Sequence, residues 1–216
     1  MKIVLLLLAI FMISVLASPE SPVWPEKFTE DFEEEFVYPV IGKYTTTGSF
    51  YYDAVTHRYM VHRENGRGDR YCGINGFKVF KNTPCNQFVD ELGDRYLHYP
   101  ELDECCYCCS AEHGCGILRQ DWLSGAEFQG EVDYKGYTAY KWDKAGLQSN
   151  FYYETIAESP QNRIMLDMDQ TPNDDQSFDP STWSLTFDDS ILDLPGICKK
   201  EKTCALASTC TAVRKS

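Results

Sequence analysis

The residues best suited to chemistry stand together at Cys105 to Gly116, CCYCCSAEHGCG, which holds five of the chain's ten cysteines beside His113. Three uses fit that composition. Cys105/Cys108 and Cys106/Cys109 have C-x-x-C spacing, and His113 with Cys115 would complete a four-ligand zinc set. The same spacing serves dithiol redox chemistry, although the βαβ setting of a thioredoxin-like motif is missing. The third use is structural, with each sulfur in a disulfide. Neighbours such as Cys105 and Cys106 would then pair elsewhere, because a bridge between adjacent residues strains the Cα separation and torsion.

The compartment weighs these uses. Lys2 is followed by IVLLLLAIFMISVLA, an apolar run ending in small residues at Val15-Leu16-Ala17. This pattern predicts a secretory signal peptide over 1–17, cut after Ala17. The rival reading, a retained anchor, needs roughly 20 apolar residues, more than the run supplies. A secreted chain meets oxidising conditions, and the cysteines are even in number. The expectation is five disulfides among Cys72, Cys85, Cys105, Cys106, Cys108, Cys109, Cys115, Cys198, Cys204 and Cys210, with their connectivity open. No Asn-x-Ser/Thr glycosylation acceptor occurs.

Catalytic signatures are sparse. WLSGAEF lacks the strand-turn-helix setting of a nucleophile elbow, HRENG lacks the second histidine of a zincin helix, and no glycine-rich phosphate cradle is present. The formal net charge of −13 opposes binding to nucleic acid or anionic membranes and favours cations. Calcium is the one candidate cofactor. In DMDQTPNDDQSFD, Asp167, Asp169 and Asp175 fall at EF-hand positions, but Pro172 and Phe178 stand where the turn glycine and the bidentate glutamate belong. A looser calcium site and a solvated acidic loop are the two readings left.

The elements that would position these groups read mostly as strands. Residues 18–41 form an extended lead-in with an acidic segment. Within it TEDFEEEF is either one or two helical turns, with Thr29 as N-cap, or a solvated acidic face. From 42 to 197 a single β domain is expected. KYTTTGSFYYD, RYMVHRE, DRYCGI, GFKVFKN, GEVDYKGYTAYKW, SNFYYETI, NRIMLDMD and WSLTFDD read as strands separated by turn residues. In RYMVHR, alternation sets Tyr59 and Val61 on one face and Met60 and His62 on the other. NQFVDELGDRYL around Val89 reads as a short helix. Seven to nine short strands predict an all-β, antiparallel sandwich or barrel, disulfide-stapled, with one or two short helices. Residues 198–216 read as a cysteine-containing tail.

GSFYYDAVTHRYMV, with Gly48, Tyr52, Asp53 and Arg58, the mid-chain cysteine segment, and LPGICKKEKTCALASTC, with Leu194, Pro195 and Cys198, together resemble the ependymin-related proteins. The resemblance implies a strongly curved antiparallel sheet or half-barrel around an apolar pocket, lipid-like ligands, calcium and a homodimer. A curved sheet leaves its concave face either filled or open to a ligand. Phe50, Tyr52, Tyr59, Val61, Phe151, Tyr153, Met165 and Phe187 are the candidates to line such a space. The reading is a secreted, non-catalytic binder of an apolar or amphipathic ligand. An adhesive calcium-binding protein is the alternative and a secreted hydrolase the third.

Overall fold

The computed structural model describes residues 18–40, 42–76, 82–146 and 150–215. The expected signal peptide over 1–17, and Phe77 and Val79 of GFKVFKN, lie outside them.

One antiparallel sheet of eleven strands carries the fold, in the order β6-β5-β4-β3-β2-β1-β11-β10-β9-β8-β7. β1 (Lys27–Tyr38) lies at its centre. β2 (Gly42–Asp53), β3 (Arg58–Arg63), β4 (Cys85–Val89), β5 (Arg95–Tyr99) and β6 (Glu104–Cys109) meander to one edge. β7 (Glu127–Tyr134), β8 (Tyr137–Asp143), β9 (Phe151–Thr155), β10 (Met165–Gln170) and β11 (Asp174–Ser184) return from the other edge to β1. The all-β, disulfide-stapled expectation therefore holds, with two short helices, α1 (Arg70–Gly73) and α2 (Thr209–Lys215). Among the described residues no helix is long and apolar enough to cross a membrane.

Several local expectations are overturned. The lead-in is the central strand: in KFTEDFEEEFVY every even-numbered residue from Phe28 to Tyr38 is buried, a period of two that a helix cannot produce. Phe32 and Phe36, four apart, satisfy both periods, and the strand pairs on each side decide between them. NQFVDELGDRYL is the β4–β5 hairpin, turned by Asp90, whose carboxylate accepts from the Leu92 and Asp94 amides. DRYCGI contains α1, because Asp69 caps the Tyr71 and Cys72 amides. WSLTFDD holds only the end of β11. The acidic stretch before it, read as a loop, is the β10–β11 hairpin.

Gly48 sets how closely β1, β2 and β3 approach. A Cβ there would lie 1.9 Å from the His62 carbonyl oxygen and 2.7 Å from the Phe32 ring. Gly48→Ala is expected to cost about 2 kcal/mol through overpacking, seen as a melting temperature lower by about 4–8 °C. An unchanged melt would contradict this packing.

The ten cysteines form five disulfides. Along β6 successive side chains point to opposite faces, so adjacent cysteines cannot pair with each other. They staple the C-terminal segment to both sides of the edge strand. Cys105–Cys198 lies in one apolar cluster with Met60 and Phe88, and Cys106–Cys204 with Cys108–Cys210 in another with Leu97 and Tyr99. The remaining bridges are Cys72–Cys85 and the local Cys109–Cys115. The tail also hydrogen-bonds Tyr107 through Lys202 and Cys204, which covers an edge that would otherwise be open to pairing.

Candidate functional site

Strand order forces a crossing. β6 and β7 are consecutive in the chain but occupy opposite edges of the sheet, so residues 110–126 must traverse one face. They cross the face bearing Phe28, Phe50, Tyr52, Tyr59 and Trp142, and Leu123, Ile117 and Trp122 pack into that cluster. The crossing is anchored by Tyr52 Oη donating to the Leu118 carbonyl (2.7 Å). Two bonds with Trp24 add to it: the Trp24 amide donates to the Gln120 carbonyl (2.9 Å), and Gln120 Nε2 to the Trp24 carbonyl (2.8 Å).

Beneath this roof is a cavity of about 310 Å³, at the small end of the range for small-molecule sites. Its wall is apolar and aromatic, with Phe50, Tyr52, Tyr59, Val61, Trp122 and Met168. Its polar residues include Glu34, Arg63, Asp69, Arg95, Asp174 and Gln176. Arg63 forks onto both carboxylate oxygens of Glu34, with Nη2 3.1 Å from Oε1, and lies 3.6 Å from Asp69, a buried charge-assisted pair with defined geometry. Burial raises the Glu34 carboxyl above the usual range while Arg63 opposes it. Burial, and next the charge of Asp69, push the Asp174 carboxyl up to about 6.

Arg95 is different. It is only 8 % exposed, its guanidinium stacks against the Tyr71 and Tyr59 rings (4.8 and 5.9 Å), and no carboxylate of the described residues forms an ion pair with it. Gln87, with its amide oxygen turned towards Arg95, accepts from Nε and Nη1 at 3.3 Å. Three further cavity-lining atoms, Trp122 Nε1, Gln176 Nε2 and Asp174 Oδ1, are buried without a hydrogen-bond partner. Serine, cysteine, threonine, lysine and histidine are absent from the described lining, so the usual hydroxyl, thiol and amine nucleophiles and an imidazole base are missing there.

Of the eight expected lining residues, Phe50, Tyr52, Tyr59 and Val61 do line this cavity. Met165 sits in the same core cluster, away from the open space. Phe151, Tyr153 and Phe187 are corrections. Tyr152 points into the aromatic core, so its neighbours Phe151 and Tyr153 face the opposite side with Leu166, and Phe187 packs on Tyr51 in a third cluster. The parity of β9 could have been read from its alternation, but which parity faces inward depends on the rest of the sheet.

The aspartates of the calcium expectation lie on that opposite side. Asp169 pairs with Asp175 in register across β10 and β11. Asp167, wholly buried, accepts from Tyr134 Oη (2.5 Å), Ser177 Oγ (2.7 Å) and Lys135 Nζ (3.3 Å). Burial, and next Asp167, push the Asp175 carboxyl up to about 7. Among the described residues one set of three His, Cys, Asp or Glu side chains brings its ligand atoms within 4.8 Å of one another, Cys108, Cys109 and Cys115, and all three sulfurs are in disulfides. The three aspartates do not form such a set; the three donors all meet Asp167 Oδ2, while its Oδ1 is buried without a hydrogen-bond partner. A larger groove, about 690 Å³, is lined by Asp31, Glu33, His62, Glu64, Lys135 and Asp179 with the Phe32 and Phe178 rings, and it lies on a more open surface than the roofed cavity.

These features define a class, a curved β-sheet whose inner face is roofed by a crossing segment and keeps a small, mixed-polarity cavity. A family described as a domain of unknown function (DUF8395) matches residues 83–171, which run from just before β4 to the end of β10. The crystal structure of an uncharacterized conserved protein from Thermus thermophilus is similar at a TM-score of 0.48 and 10% identity, covering 81% of this chain and 90% of that one. No curated protein matches the chain.

Proposed function

We propose that this is a secreted, non-catalytic binding protein that takes one amphipathic, lipid-like molecule into the roofed cavity of the sheet. The observation that carries the reading is the cavity itself: an aromatic wall continuous with charged and amide groups, under the segment that crosses the inner face. An apolar chain would gain about 25 cal/mol for each Å² it buries against that wall, while a few polar groups fix its orientation. At about 310 Å³ the space suits one short chain better than a lipid with two. The five disulfides are compatible with an extracellular setting, and the resemblance to ependymin-related proteins supports the same class of ligand.

Mass spectrometry of an organic extract of the freshly purified protein is the direct test. A near-stoichiometric amphiphile is expected. A clean extract, together with no uptake of added single-chain amphiphiles, would end this reading.

A further inference from the structure

The unpaired guanidinium of Arg95 and the orphan donors Trp122 Nε1 and Gln176 Nε2 line one apolar-walled cavity, and we infer that its ligand carries an anionic head group, a carboxylate or a phosphate monoester, which Arg95 binds. This rests on the binding reading above and adds the polarity of the ligand. A guanidinium as buried as Arg95 ordinarily has a carboxylate partner, because removing a charge from water without compensation is costly. The other buried arginines obey that rule: Arg63 is held by Glu34, and Arg163 by Glu154 at 2.9 Å. Arg95 has only aromatic faces and a neutral amide.

Its planar fork matches a carboxylate or phosphate oxygen pair. The same space also presents two N–H groups without acceptors. Trp122 belongs to the crossing segment and Gln176 to β11, so roof and floor each offer a donor to the same guest. An alkyl chain attached to that head would lie along Phe50, Tyr52 and Val61, which continue the wall. A neutral amphiphile would leave the guanidinium uncompensated, and a cationic one would oppose it.

The test is calorimetric titration of the intact, disulfide-bonded protein with dodecanoate, dodecyl phosphate, dodecanol and dodecyltrimethylammonium below their micelle concentrations. Dodecanoate or dodecyl phosphate should bind at least about tenfold more tightly than dodecanol, as a hydrogen bond to a charged group contributes about 1.5–3 kcal/mol. Whichever anion binds more tightly distinguishes a fatty acid from a phosphate lipid, and either order supports the inference. Arg95→Gln should remove the preference, bringing dodecanoate and dodecyl phosphate to within about twofold of dodecanol. Trp122→Phe, which keeps the ring and deletes the donor, should weaken the anions by a few-fold. Should Arg95→Gln fail to fold, as seen by circular dichroism, the head-group series on the wild type and Trp122→Phe still decide the matter. Equal binding of dodecanol and dodecanoate, or tighter binding of the cation, overturns the anionic head and leaves the binding reading standing. Binding of none of the four overturns both.

Discussion

Replacing Cys105, Cys106 and Cys108 with their partners Cys198, Cys204 and Cys210 by alanine is expected to cost on the order of 5–10 kcal/mol, comparable with the whole stability of an ordinary domain. The six-alanine protein should therefore be largely unfolded at 37 °C by circular dichroism. The bridges span 93, 98 and 102 residues, and the first to close such a loop restricts the unfolded chain most, by about 4.7 kcal/mol for 100 residues in the entropic model. The other two act on a chain already tied nearby and close only short additional loops, so each contributes less. Removing Cys106–Cys204 alone should consequently cost about 2 kcal/mol, well below its value as an isolated bridge. Guanidinium titrations of the two variants measure this non-additivity. A six-alanine variant melting within a few degrees of the wild type would show that the tail is held by packing and not by sulfur.

Glu30→Gln should act in the opposite direction, raising stability by roughly 3 kcal/mol at pH 7 and by almost nothing at pH 4. Glu30 is 1 % exposed at the centre of β1, and neither carboxylate oxygen has a hydrogen-bond partner. Burial first, and then the charges of Asp179 and Asp31, push its carboxyl up to about 9 from an ordinary 4.5. Below pH 4.5 folded and unfolded chains both hold the proton, so ionisation carries no penalty. Between 4.5 and 9 only the folded chain still holds it, and stability falls by 1.36 kcal/mol per pH unit. Above 9 the folded carboxyl ionises as well and the loss levels off. Glutamine has the same shape and no such slope. Urea unfolding of both proteins from pH 4 to pH 8 reads the difference, and parallel profiles would show that Glu30 finds a counter-charge or a route to water.

Short-range pattern carried much of the β-sheet assignment. RYMVHR forms β3 with Tyr59 and Val61 on the cavity face and Met60 on the other, because alternation over six residues is a local property of an extended chain. It misled where two periods coincide, as at Phe32 and Phe36 of β1, and where charge suggested solvent. Glu30 and Glu34 are buried because the even-numbered side chains of β1 share the covered inner face with Phe28 and Phe32, whereas Asp31 and Glu33 on the other face are exposed, a fact about which face segments distant in sequence cover. The alternation of Phe28, Glu30, Phe32, Glu34 and Phe36 was visible all along. Four of the wall residues, Phe50, Tyr52, Tyr59 and Val61, were named from the aromatic and apolar content of β2 and β3. Arg95 and Trp122 were not, since neither stands in a motif and each reaches the site through long-range topology.

The sequence by itself determined that ten sulfurs would pair and that the chain would be mostly antiparallel sheet, because cysteine number, alternation and turn residues act locally. Only the tertiary structure decided which cysteines meet, which parity of each strand faces inward, and where a cavity remains. The physical reason is the order of the strands. Placing β6 and β7 at opposite edges compels residues 110–126 to cross the inner face, and that crossing encloses Arg95 without an acidic partner.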